Sequence, residues 1–238
     1  MKQRSIPERS PVERLIAGLR HYMTNIHSAE QALFDELAKG QSPSTCFVTC
    51  SDSRVQPSLF TQSSPGELFM VRNAGNLVPA AEHEGHSEAA SIEYAVDVLK
   101  VRDIVVCGHS DCGAIKAVLA GPAARDGLPA VNRWLRHAEA ILPIVERTQV
   151  VDEQARLKLA IEANVLLQIE NLLSLPFVQR AIAQQRLALH AWIYDIGSGC
   201  VLAWDAETGA FAPLLEGDTG FTAHKHTEDC DCATPTAT

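Results

Sequence analysis

Asp103-Ile-Val-Val-Cys-Gly108 followed by His109-Ser-Asp-Cys-Gly113 is the stretch on which the fold turns. Its first half is a short apolar, β-prone run and its second a polar loop with glycines, and the residues after Gly113 return to helical spacing. A strand that delivers its last residues into a loop and then a helix is half of a βαβ unit. The same pattern recurs upstream. Thr45-Cys-Phe-Val-Thr-Cys50 runs into Ser51-Asp-Ser-Arg54, and Leu68-Phe-Met-Val-Arg72 runs into Asn73-Ala-Gly-Asn76. Ser87 to Lys100 reads as a helix between the second and third strands. Strands alternating with helices predict a mainly parallel sheet with flanking helices, and in such sheets functional loops gather at the carboxyl ends of the strands.

Outward from this centre, Val12, Leu15, Ile16, Leu19 and Tyr22 fall at helical spacing after Pro11, and a second helical run, Ala29 to Ala38, closes on Lys39-Gly40. Helices are expected over Pro129 to Glu146 and over Val151 to Gln185, the latter interrupted at Pro176. His190 to Ile196 and Cys200 to Trp204 flank Gly197-Ser-Gly199 and predict a hairpin that places an antiparallel strand at the sheet edge. The expected organisation is an N-terminal helical arm (1–44), a single α/β domain (45–216) and a flexible C-terminal tail (217–238).

The 238 residues suffice for one sizeable domain. A formal charge of −9 without a Lys/Arg cluster opposes a nucleic-acid partner. No run reaches transmembrane length. Seven cysteines at scattered spacings, with no secretory signal, point to a reducing compartment, and cytoplasm is expected. Arg4, Arg9, Arg14 and Arg20 resemble the basic residues of a transit peptide, but Glu8 and Glu13 among them oppose that reading.

His109 and Cys112 lie three apart where a strand gives way to a helix, so one loop can offer nitrogen and sulfur to one metal. Alone the spacing is weak, since most such pairs are incidental. Cys50, at the end of another parallel strand, would emerge on the same sheet edge and complete a Cys2His set. Thiolate and imidazole suit zinc, and three protein ligands leave a fourth position open, the mark of a catalytic site. Asp52 and Arg54 follow at alternate positions. On an ordinary surface such a pair is nearly worthless, but beside an open metal site Arg54 could hold Asp52 off the metal. Cys46, Cys107 and Cys200 read as small core residues. His83, His86 and His137 read as surface residues. His224, His226, Cys230 and Cys232 in the tail offer a weak alternative metal site.

Cys50-Ser-Asp-Ser-Arg54 together with Gly108-His-Ser-Asp-Cys-Gly113 resembles the paired signature of the β-class carbonic anhydrases. The resemblance extends through Pro65-Gly-Glu-Leu-Phe69, Val71-Arg-Asn-Ala-Gly-Asn76 and Ser91-Ile-Glu-Tyr-Ala-Val96, and more loosely over residues 12 to 205. It implies zinc on Cys50, His109 and Cys112, an Asp52–Arg54 dyad with Asp52 on the metal only in a closed state, a substrate-contacting Gln41, and an apolar wall of Phe69 and Tyr94. It further implies reversible hydration of carbon dioxide to bicarbonate and a proton by hydroxide generated at zinc. A homodimer or higher even oligomer is implied, with Gln41 and the aromatic residues facing the neighbour's metal. Phe47 stands where one branch of the family carries a tryptophan, and with Gln41 this favours the plant-like branch. Hydrolysis of carbonyl sulfide or carbon disulfide on the same scaffold, or a noncatalytic assembly role, are the competing readings.

Overall fold

The structure is a computed structural model that describes residues 10–82 and 86–215. His224, His226, Cys230 and Cys232, expected as a weak alternative metal site in the tail, and His83, expected at the surface, lie outside the described residues. The chain divides into two units, with the boundary between Ser42 and Pro43.

In the first unit α1 (Pro11–His21) starts as its sequence dictates. Ser10 caps it, its hydroxyl accepting from the Glu13 N–H at 3.2 Å, while the Glu13 carboxylate accepts from the Ser10 N–H at 2.7 Å, and Pro11 occupies the first turn. α2 spans Gln31–Leu37. Tyr22, His27 and Phe34 form a small ring cluster, with His27 stacked on Phe34 at 4.4 Å. Val12, Leu15, Leu19 and Met23 lie exposed along this arm.

The second unit is a six-stranded sheet. Its strands are β1 (Thr45–Cys50), β2 (Leu68–Asn73), β3 (Asp103–His109), β4 (Ala188–Tyr194), β5 (Val201–Asp205) and β6 (Ala210–Pro213), in the order β2-β1-β3-β4-β5-β6. The first four strands of that order run parallel and β5 and β6 antiparallel, so the mixed α/β architecture is as expected. The predicted β4–β5 hairpin is present, but β6 pairs beyond it and takes the edge. Residues 210–213 are too short and too weakly alternating to have announced a strand.

The connecting helices are α3 (Pro57–Phe60), α4 (Ser87–Glu93), α5 (Gly113–Leu119), α6 (Pro129–Leu135), α7 (Leu142–Arg147), α8 (Glu153–Ser174) and α9 (Pro176–Ala183). The helix expected over Pro129 to Glu146 is not continuous, because a tighter 3₁₀ stretch, Arg136–Ile141, separates α6 from α7. Pro143, with no N–H to donate, sits in the first turn of α7, where none is needed. The helix expected to Lys100 ends in a wide turn over Tyr94–Val98, in which the Leu99 N–H reaches back five residues to the Tyr94 carbonyl at 2.9 Å.

Alternation along the strands sorts the core. Cys46, Val48, Ile104, Val106 and Ile193 point to one face and pack with Ile161, Val165 and Leu172 of α8 and Ile115 and Val118 of α5. Phe47, Val105 and Cys107 point to the other, with the partly buried Phe60, Leu68, Met70, Trp192 and Tyr194. α8 lies so close to β3 that a Cβ on Gly108 would stand 2.6 Å from Val165 Cγ2 and 3.4 Å from Ile161 Cγ2. Gly108→Ala is therefore expected to destabilise by about 1–3 kcal/mol through overpacking. Calorimetry should show the melting temperature falling by several degrees, and an unchanged Tm would mean that α8 yields freely.

Candidate metal centre

In the order β2-β1-β3-β4 the connections from β1 and β3 leave in opposite directions, so a crevice opens between the carboxyl ends of these two neighbours, the usual ligand position in an open α/β sheet. Pairing of β1 with β3 ends at Thr49 and Cys107. By alternation Cys50 continues the face toward α8 and His109 the opposite face. They meet because the strands are no longer tied to each other beyond that last pair.

One ligand atom each from Cys50, His109 and Cys112 lies within 4.8 Å of the others, and all three residues are buried. His109 Nδ1 lies 2.8 Å from the Ser110 carbonyl oxygen, to which it donates, and this leaves Nε2 as the nitrogen with a free lone pair. Nε2 is buried and has no hydrogen-bond partner among the described residues. The Cys50 thiol is pulled down to about 4, first by the Cys112 thiol beside it, against the cost of burial, with help from the His109 ring and the backbone N–H groups of Gly75 and Asp52. The Cys112 thiol is pushed up, because it donates to Cys50 and is itself buried. Two sulfurs so placed can both be thiolates only if positive charge arrives between them. An orphaned imidazole nitrogen and two converging thiols fit zinc, whose thiolate and imidazole ligands stand about 2.3 and 2.0–2.1 Å from the metal. Cys46 and Cys107, the other buried strand thiols, are each raised to about 12 by burial and take no part in the cluster.

The dyad forms as a fork. Arg54 Nε and Nη2 donate to Asp52 Oδ1 and Oδ2 at 3.0 and 2.8 Å, and the Arg54 N–H donates to Oδ1 at 2.9 Å. Arg54 thereby holds the Asp52 carboxyl well below the usual carboxylate range. Oδ2 ends 4.0 Å from His109 Nε2. The far side of the guanidinium meets Asp111, at 3.0 Å from Nη1 to Oδ2, and Asp111 in turn pairs with Lys116.

Sequence reasoning missed the groups that brace this end of the sheet. The Arg72 guanidinium, from β2, donates to the carbonyls of Cys50, Asp52 and Val55 at 2.8–3.1 Å and holds the whole loop. Asn164, Gln168 and Asn171 of α8 reach the loop after β2, with bonds to the Gly75 carbonyl and to both backbone groups of Val78 at 2.8–3.1 Å. That loop sends the Gly75 N–H to Cys50 Sγ at 3.4 Å. Three amides at helical spacing on an otherwise apolar stripe were a legible signal. His86 and His137, expected as plain surface residues, are half-buried and pack against Trp134, whose indole donates to the Ala74 carbonyl at 2.8 Å.

Gln41 falls in the N-terminal unit. Phe69 pairs in register with Cys46, whereas it is Asn73 that pairs with Cys50. At about 3.3 Å per residue that places Phe69 some 13 Å from the ligand end of the sheet. Its ring lies 6.1 Å from that of Tyr94.

A mainly parallel sheet that brings two thiols and an imidazole together at its switch point is an α/β fold with a ligand set that fits zinc. The carbonic anhydrase family model matches residues 45–201. Carbonic anhydrase from Pseudomonas aeruginosa is 48% identical over 85% of this chain and 91% of its own length, and carbonic anhydrase 1 of Escherichia coli O157:H7 is 43% identical over 85% and 92%. The solved β-carbonic anhydrase CcaA superposes with a TM-score of 0.84 at 39% identity, covering 86% of this chain and all of that one. A tetrameric β-carbonic anhydrase of Sordaria macrospora reaches 0.74 at 28% identity, over 86% of this chain and all of that one. The chain belongs to the carbonic anhydrase family, in its β class.

Proposed function

We propose that this chain hydrates carbon dioxide reversibly to bicarbonate and a proton at a zinc held by Cys50, His109 and Cys112, with Asp52 and Arg54 as the dyad that keeps the site open. Zinc, when bound, supplies a Lewis acid that brings the pKa of water to about 7. The observation that carries the reading is the occupancy of the Asp52 carboxylate. Oδ1 already accepts from the Arg54 N–H and Nε, and among the described residues Oδ2 accepts from Nη2 alone. A carboxylate oxygen accepts about two hydrogen bonds, so one place on Oδ2 remains. That place, on the oxygen 4.0 Å from His109 Nε2, can accept a proton of the attacking nucleophile and fix its direction. Because Arg54 keeps Asp52 ionised, the carboxylate orients rather than abstracts.

Gln41 is proposed to donate to a substrate oxygen, and Phe69 and Tyr94 to form the apolar wall. The register distance between Phe69 and the ligand end of the same sheet supports a wall that serves the neighbouring subunit, and hence a homodimer or a higher even oligomer. The exposed apolar residues of the arm and the partly buried rings on the second sheet face supply surface for such contacts. Phe47, standing where the other branch carries a tryptophan, supports with Gln41 the plant-like branch and its open state. Cytoplasm is the proposed compartment. No helix among the described residues is long and apolar enough to cross a membrane.

Stopped-flow carbon dioxide hydration, run beside elemental analysis, tests the reading. Turnover with about one zinc per chain is expected, as one Cys2His set requires. Active protein free of zinc would sink it. Sulfide release from carbonyl sulfide, measured on the same preparation, tests the competing substrate.

A further inference from the structure

The charged groups beside the metal centre do not stop at the dyad. Asp52, Arg54, Asp111 and Lys116 form a ladder of alternating sign. One edge of the Arg54 guanidinium, Nε and Nη2, faces Asp52, while Nη1 donates to Asp111 Oδ2 at 3.0 Å and Nη2 reaches the Asp111 carbonyl at 3.4 Å. A planar guanidinium engaged on both edges cannot turn without breaking bonds on one of them. Asp111 stands between His109 and Cys112, so these contacts tie the loop after β1 to the loop after β3 across 57 residues of sequence.

Asp111 adopts φ of +60°, a conformation costly for most side chains but tolerated by aspartate and asparagine. This backbone turns both its carboxylate and its carbonyl toward Arg54. Lys116, on α5, takes the other carboxylate oxygen. Without that lysine a second unbalanced carboxylate would compete with Asp52 for the same guanidinium.

We propose that Asp111 and Lys116 are positioning residues that clamp Arg54 to the ligand loop and so keep Asp52 turned away from the fourth coordination place. The inference rests on the dyad reading given above. It adds that the open state depends on a brace outside the dyad. All three side chains are about half exposed, so each pair contributes little to folding stability. Their role is to fix direction.

The test compares Asp111→Gly, Asp111→Asn, Lys116→Met and Arg54→Ala in the full chain, each with metal content and thermal midpoint measured. Glycine keeps the positive φ and removes the side chain, and asparagine keeps both the φ and an acceptor for Nη1. Asp111→Gly is expected to lower kcat about tenfold, a loss of roughly 1.4 kcal/mol of transition-state stabilisation, with KM and metal content nearly unchanged. Asp111→Asn should recover to within about threefold of the parent, and Lys116→Met should fall between them. Cobalt-substituted protein gives an independent readout. A carboxylate entering the fourth place changes the visible spectrum, so Asp111→Gly should shift toward the spectrum of Arg54→Ala. If Arg54→Ala shifts spectrum and turnover while Asp111→Gly leaves both at parent values, the clamp is overturned and the dyad stands. If Arg54→Ala itself changes neither, the dyad reading falls and the clamp with it. Equal impairment in the glycine and asparagine variants would overturn the hydrogen-bond clamp.

Discussion

Cys112→Ala is expected to reduce bound zinc from about one per chain to a small residue and to take carbon dioxide hydration down with it, by at least about a thousandfold, or some 4 kcal/mol of transition-state stabilisation. Removing one of three ligands leaves Cys50 and His109, and two protein ligands make at best a weak zinc site. The fold should survive. Cys112 is buried at the start of α5, but the change deletes a single sulfur atom and leaves the backbone free to start the helix as before. Circular dichroism with elemental analysis separates the outcomes, since a folded, metal-poor, inactive protein is the expected one. A variant that kept its zinc and its turnover would remove Cys112 from the ligand set.

Arg54→Ala has the second largest expected effect and the opposite metal signature. Turnover should fall about a hundredfold, near 2.7 kcal/mol, while zinc stays near one per chain. Without the fork, Asp52 is a carboxylate with three hydrogen bonds removed or weakened, 4.0 Å from the nitrogen that faces the metal, and it is drawn into the open place. Blocking by Asp52 makes a further prediction. Asp52→Ala alone should impair hydration, yet Asp52→Ala combined with Arg54→Ala should be more active than Arg54→Ala, because the blocking group has gone. Such non-additivity is expected of groups that act on one another. Losses that simply added would count against the blocking role, and so would a crystal structure of Arg54→Ala with Asp52 still turned aside.

The sequence revealed most of what lies along the chain and less of what crosses it. The strands from Thr45, Leu68 and Asp103 were legible because each is a short apolar run ended by a polar loop, and the Cys50–His109–Cys112 cluster was legible because Cys50 and His109 sit where such runs stop and Cys112 follows three residues on. The Asp52–Arg54 pair was legible because it follows Cys50 directly. Arg72 was not, since its guanidinium works on carbonyls up to 22 residues away and one arginine near the end of a strand run has no distinguishing pattern. Gly108 read only as the last residue of a strand run. Its constraint comes instead from Val165, on a helix that starts 45 residues later in the chain, at Glu153. Asp111 was read only as part of the motif, and its service to Arg54 depends on a positive φ that no periodicity encodes. The edge strand β6 escaped because pairing with β5, not its own composition, makes it a strand.

The ending of the β1–β3 ladder at Thr49 and Cys107 bears on how such a centre can change over generations. Strand pairing shifts only in whole residues, and a shift of one would send Cys50 to the opposite face of the sheet. The ligand positions therefore behave as discrete settings, with no gradual path from a good centre to a slightly different one. Graded adjustment belongs to the loops, where Asp52, Arg54 and Asp111 can move by fractions of an ångström without disturbing a single strand pair.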